Sequence, residues 1–172
     1  MTGQDYLEKM INSYRSAFDI IRPYDINGDI FDAYASFNVS SAKYVLVKKA
    51  ELWRADCYEH TFFAQKQKLS VEDLNRFKKH VVSFIEPQLV RKGEKCTKKD
   101  HMYTYITGVY IIDQGISDEV KKAIKKFRFF KNYRWGLRGY SEVRILVFDM
   151  ENKKIIGNPA ARELVKGYKK AF

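Results

Sequence analysis

The sequence predicts an α+β fold: one domain over residues 1–172, built on a mostly antiparallel or mixed sheet that helices cover. Four segments repeat apolar residues at three- and four-residue spacing. The segments between them alternate apolar and polar residues or run almost continuously apolar. A chain of 172 residues can bury one proper core without metals or disulfides. With 12 Tyr, 12 Phe and 2 Trp against 3 Pro and 9 Gly, the composition suits a packed interior rather than a linker.

The elements follow in order. "QDYLEKMINSYRSAFDII" sets Leu7, Met10, Ile11, Tyr14, Phe18 and Ile21 on one stripe, predicting a helix that ends before Pro23. Asn27-Gly28 is a turn signal. Phe31, Ala33, Ala35, Phe37 and Val39 alternate with polar residues and predict a strand with one buried face. "KYVLVKKAELW" and "DCYEHTFFAQ" predict two further strands, giving a meander of three. Ser70 is placed to cap a helix whose stripe, Leu74, Phe77, Val81, Phe84 and Ile85, runs up to Pro87.

"RKGEKCTKK" reads as a basic, exposed connection, and "HMYTYITGVYIID" as a strand too apolar on both faces for an open edge. Ser117 caps the next helix, "EVRILVFD" is a strand, "MENKK" a turn and "IIGN" a short hairpin partner. Asn158-Pro159 starts a final helix carrying Leu164, Val165 and Tyr168 inward. The predicted order is α-β-β-β-α-β-α-β-β-α.

The formal charge is +11 and it is unevenly placed. Residues 1–40 carry 3 basic and 6 acidic groups, so the remainder holds a net +14. Such a field favours nucleic acid or another polyanion. Cys57 and Cys96 lie far apart without metal-finger spacing and are expected as reduced thiols. The start of the chain lacks a signal-peptide pattern and no apolar run is long enough to span a bilayer, so the expected location is cytoplasmic.

Helix, three strands, helix, strand is also the order of the restriction-endonuclease-like core, which residues 5–113 resemble in order. That resemblance implies a metal-dependent nuclease, with an Asp near the second strand and a Glu or Asp two residues before a Lys. Clustered carboxylates would hold Mg²⁺ and the lysine would help activate water. This chain has Lys48, Lys49 and Glu51 in the opposite order, and Asp56, Glu59 and His60 without a following lysine. Asp32 and Glu8 would have to approach them. Cys57, Glu59, His60, His80, Cys96 and His101 are too scattered to predict a metal site. "GLRGY" is too short for a phosphate loop, so no cofactor is expected.

One segment stands apart. From Lys121 to Tyr140 the chain carries eight Lys or Arg, six aromatics and no acid. Val120, Ala123, Ile124, Phe127 and Phe130 fall on one helical stripe and are expected in the core. Lys121, Lys122, Lys125, Lys126 and Arg128 cover the other side, with Lys131 and Arg134 near the helix end. The loop "NYRWGLRGY" then combines Trp135 with Arg134 and Arg138, either stacking bases and neutralising phosphates or pinning Trp135 to the core.

The sequence thus points to a small basic protein that binds rather than catalyses. Its expected partner is nucleic acid, through Lys121, Lys122, Lys125, Lys126, Arg128, Lys131, Arg134, Trp135 and Arg138, with the loop from Arg91 to Lys99 extending that surface. A metal-dependent, nuclease-like or degenerate restriction-endonuclease-like protein is the first alternative. A protein–protein adaptor or homodimer, built on the many tyrosines, is the second.

Overall fold

The computed structural model describes residues 2–45 and 50–169, and their side chains outside 41–54. Helix α1 spans Gly3–Tyr14, and strands β1 to β5 span Asp19–Ile21, Tyr24–Ile26, Asp29–Phe31, Ala33–Val45 and Ala50–Lys66. Helix α2 (Val71–His80) runs straight into a π-helix, Val81–Val90, which leads to β6 (His101–Ile112). Then come α3 (Asp118–Lys126), β7 (Phe130–Asn132), β8 (Tyr140–Asp149), β9 (Lys154–Gly157) and α4 (Arg162–Tyr168). The α+β class and the order of elements are as expected.

The sheet runs β1-β4-β5-β6-β8-β7, with β9 also on β8. β4–β5, β1–β4, β7–β8 and β8–β9 are antiparallel, while β5–β6 and β6–β8 are parallel. A parallel neighbour needs a crossover, and the α2–π-helix segment and α3 supply one each. β6 lies at the centre, as its two-sided apolar pattern requires. β2 and β3 form a separate hairpin around Asn27-Gly28, both at positive φ as a two-residue primed turn demands.

Alternation along the strands makes two cores. Leu7, Met10 and Ile11 of α1 pack with Phe63, Val109, Ile111, Leu146 and Phe148 on one face. Phe62, Ile106, Tyr110, Val143, Ile145 and Val147 point the other way, against Leu74, Phe77, Val81, Ile85, Val120 and Ile124. Capping boxes at Thr2/Asp5 and Ser70/Asp73 start α1 and α2.

Four local expectations change. The first helix stops at Tyr14, and Asp19–Ile21 instead pairs with Ala35 and its neighbours, because an edge hydrogen-bond ladder outweighs a weak helical stripe. Pro87 does not end its helix: the wider π turn relieves the clash of its ring with the preceding turn. The segment read as a separate middle strand is shared between the ends of β4 and β5, and its Lys48 and Lys49 lie outside the described residues, as does the side chain of Glu51. Phe130 is not core: α3 ends at Lys126, Phe127 turns extended, and Phe130 enters β7 at 57% exposure, stacked on Tyr140.

The outer edge of β8 is closed by a side chain. β7 pairs with Tyr140–Glu142 and β9 with Leu146–Asp149. Between them Asn158 Nδ2 donates to Val143 O (2.9 Å) and Phe127 O (3.3 Å), and its Oδ1 accepts from Ile145 N (2.9 Å) and Ala161 N (3.2 Å). The amide imitates a strand peptide and joins α3, β8 and the start of the last helix. Asn158→Leu leaves these buried groups unpaired, and urea denaturation is expected to show a loss of more than about 2 kcal/mol.

Candidate anion-binding cleft and basic rim

The π-helix places Glu86 in the interior, at 3% exposure. An isolated buried carboxylate is costly, so its partners matter. Arg91 Nε donates to Oε1 at 2.7 Å, Lys131 Nζ lies 3.0 Å from Oε2, and Tyr133 Oη donates to Oε1 at 2.9 Å. Tyr133 Oη also meets Ser141 Oγ at 2.8 Å. Burial acts to raise the Glu86 pKa, but the bonds from Arg91, Lys131 and Tyr133 outweigh it and hold the carboxyl below its ordinary value. One charge therefore fixes the π-helix, the following loop, β7 and β8 together.

From Arg91 the chain turns through Lys92 and Gly93, both at positive φ, with Gly93 N donating to Pro87 O. This basic loop is bonded to the loop before β8. Thr97 Oγ1 and His101 Nδ1 both meet Arg138 O at 2.8 Å, and Arg138 Nη1 donates to Thr97 O at 3.3 Å. Gly139 sits at φ +70°, where a Cβ would lie 2.1 Å from Met102 O, so only glycine lets this loop approach the start of β6.

Arg134, Trp135 and Gly136 continue the positive-φ run and form a tight turn closed on Tyr133. Trp135 is thrust outward at 100% exposure and Leu137 at 83%. The alternative in which Trp135 pins the loop to the core is overturned. Tyr133 does the pinning.

A cleft of about 470 Å³ lies between the end of the π-helix, the basic loop, the middle of β5 and the start of β6. Leu89, Val90, Tyr58, Cys96 and His101 line it, with Lys92, Lys95 and Lys98 at its mouth. A second hollow of about 320 Å³ shares Tyr58, His60, Leu89 and Lys92 with it. His60 is 8% exposed and its Nδ1 meets Tyr34 Oη at 2.7 Å. Burial, and secondarily Lys92, drives its pKa down to about 4, so the ring is neutral at physiological pH.

The sequence-predicted residues divide into groups. Arg138 is bonded to the Arg91–Lys99 loop, Arg134 and Trp135 are exposed on the turn just before Arg138, and Lys131 is bound to Glu86. Lys121 pairs with Asp118 at 3.0 Å, and Arg128 Nη1 caps α3 by donating to Lys125 O and Phe127 O. Lys122, Lys125 and Lys126 are exposed on α3, with Lys125 lining a different groove beside Pro159, Arg162, Lys166 and Lys169. Glu86, Tyr34 and the cleft-facing role of His60 escaped sequence analysis. A carboxylate amid an apolar helical run was the available signal for Glu86.

The proposed nuclease carboxylates are spread out. Asp56 and Glu59 lie on opposite faces of β5, and Glu59 sits with Thr61, Thr107 and Arg144. Asp32 accepts from Gln65 N, nine residues further along β5 from Asp56. Among the described residues no three His, Cys, Asp or Glu side chains converge. His60, Cys96 and His101 share the cleft, but both His101 nitrogens are engaged, Nδ1 by Arg138 O and Nε2 by Thr104 Oγ1.

On the opposite sheet face Tyr103, Tyr105, Tyr140 and Phe130 form a ladder of ring contacts, and the Arg144 guanidinium lies 3.1 Å from the Tyr105 ring centre. No described helix is long and apolar enough to cross a membrane.

These features define an α+β protein with a mixed sheet and one basic cleft beside an aromatic turn. Over residues 2–170 the chain matches the family described as a domain of unknown function, DUF8052, and it belongs to that family. No curated protein and no solved structure matches it.

Removing the buried charge tests the hub. Glu86→Gln strands Arg91 and Lys131, and is expected to cost about 3 kcal/mol at neutral pH in chemical denaturation. The folded pKa of Glu86 is lowered, so its ionic contribution is full above about 4.5 and is lost as pH falls through the folded value. The gap between the native protein and Glu86→Gln should therefore narrow below that pH.

Proposed function

We propose that this protein binds single-stranded nucleic acid, with little sequence preference, along the rim of the cleft. The observation that carries this is the fully exposed Trp135, held on a tight turn and hydrogen-bonded through Arg138 to a second, basic loop. With Leu137 also exposed beside it, the turn offers a local apolar surface suited to stacking on a partner. Nucleobases offer flat faces to it, while Lys92, Lys95, Lys98, Arg134 and Arg138 neutralise the phosphates. Lys122, Lys125 and Lys126 add attraction through the field rather than by contact.

Anisotropy of a labelled oligonucleotide at low ionic strength checks this. Trp135→Ala should weaken binding by about 1–3 kcal/mol. Replacing Lys95 and Lys98 together by Glu should reduce the salt slope by about 1.4, because two phosphates are then no longer neutralised. Reversing Lys122, Lys125 and Lys126 should have a smaller effect. No binding at low salt, or binding indifferent to Trp135→Ala, would sink the proposal.

A second reading, a protein interface, is favoured by the half-exposed aromatic ladder on the other face. Self-association in sedimentation that Phe130→Glu abolishes would support it, and a monomer at all concentrations would count against a homodimer.

A further inference from the structure

We propose that the cleft itself is a binding site for a small ligand that joins a planar polar ring to an anionic group, the chemistry of a nucleoside monophosphate. The size is right, since about 470 Å³ falls in the range of small-ligand pockets. Its walls suit a ring. Leu89 and Val90 form an apolar side, and the Tyr58 and His101 rings, near-parallel at 13° with centres 5.9 Å apart, supply an aromatic one.

The floor holds the polar group that such a ring needs. His60 lines the cleft, more than nine-tenths buried, with one nitrogen fixed by Tyr34. Its Nε2 has no hydrogen-bond partner among the described residues, and it is not sealed off from solvent as His80 Nδ1 is. A buried ring fixed at one nitrogen, with the other unbonded, in the lining of a cavity is positioned to read the polar edge of a ligand. Tyr34 decides the role: if its hydroxyl donates to Nδ1, then Nε2 carries the proton and donates, and if it accepts, then Nε2 accepts.

The anion belongs at the mouth. Lys92, Lys95 and Lys98 make no ion pair among the described residues, and Arg91, though it lines the same wall, is committed to Glu86. Glu94 is the one acid on the wall, so the mouth keeps an excess of positive charge. This site goes beyond strand binding at the rim, because it needs neither Trp135 nor a polymer. The same chemistry can arrive as a free nucleotide or as the phosphorylated end of a strand.

Cys96 supplies a reporter, since it lines the cleft half-exposed whereas Cys57 is buried on the other sheet face. Adenosine 5′-monophosphate is expected to bind saturably by calorimetry and to slow alkylation of Cys96 by N-ethylmaleimide. His60→Phe should weaken it roughly tenfold, the worth of one buried hydrogen bond. The exposed Lys95→Glu, which cannot unfold the core, should weaken it too. Nitrogen-15 NMR of the imidazole should show the His60 Nε2 resonance shift on titration.

Adenosine binding as tightly as the monophosphate would overturn the anion half, and inorganic phosphate protecting Cys96 equally well would overturn the ring half. Absence of both protection and heat would overturn the site. Comparing 5′-phosphorylated and 5′-hydroxyl oligonucleotides separates the two sources: preference for the former identifies a strand end. Nucleotide binding by the native protein without any strand binding would leave this site standing and the rim reading failed, and strand binding that Trp135→Ala weakens, without nucleotide binding, would do the opposite.

Discussion

Glu86 is the charge around which the working end of this molecule is arranged. It lies buried on a π-helix, and three donors from two stretches of chain converge on it: Arg91 from the helix end, and Lys131 and Tyr133 from β7 and the residue after it. Without them the carboxylate would be forced to protonate or the helix to move. With them, the basic loop is anchored at its start and β7 at its middle. Tyr133 in turn fastens the base of the turn that lifts Trp135 into solvent. Two cations are drawn to this one carboxylate and held inward, so the rim presents mainly the lysines and arginines that remain.

The π-helix makes this possible. Its wider turn carries Pro87 without a break and rotates the residues that follow, so that Leu89 and Val90 wall the cleft while Glu86 looks inward. An α-helix ending at Ile85 would have delivered neither. The parallel pairing of β5 with β6 then sets His60 and His101 on the same sheet face, with Tyr34 beside them on β4. Residues separated by tens of positions become the floor and wall of one cavity.

At the other side of the sheet, Asn158 closes the gap between two short edge strands and carries the end of α3 with it. It keeps the cationic helix at a distance set by Phe127, whose burial ends the helix and starts β7. The basic segment of the sequence is thereby divided into a helix face, a buried charge partner and an exposed turn.

Much of this was legible beforehand. Alternation in Ala33–Val39, the two-sided apolar run of β6, the serine caps and Asn158-Pro159 are local patterns, and local patterns suffice to fix element type and the inward faces. The positive charge and its clustering are likewise properties of the chain alone. What only the tertiary structure decided is which of those charges are spent and which are free. Lys131 and Arg134 look alike in sequence, yet one is drawn to a buried carboxylate 45 residues away and the other stands in solvent. Of the two aromatics in the turn, Tyr133 is buried and Trp135 exposed for the same reason. Burial depends on long-range partners and on positive-φ backbone at successive residues, and no periodicity encodes either.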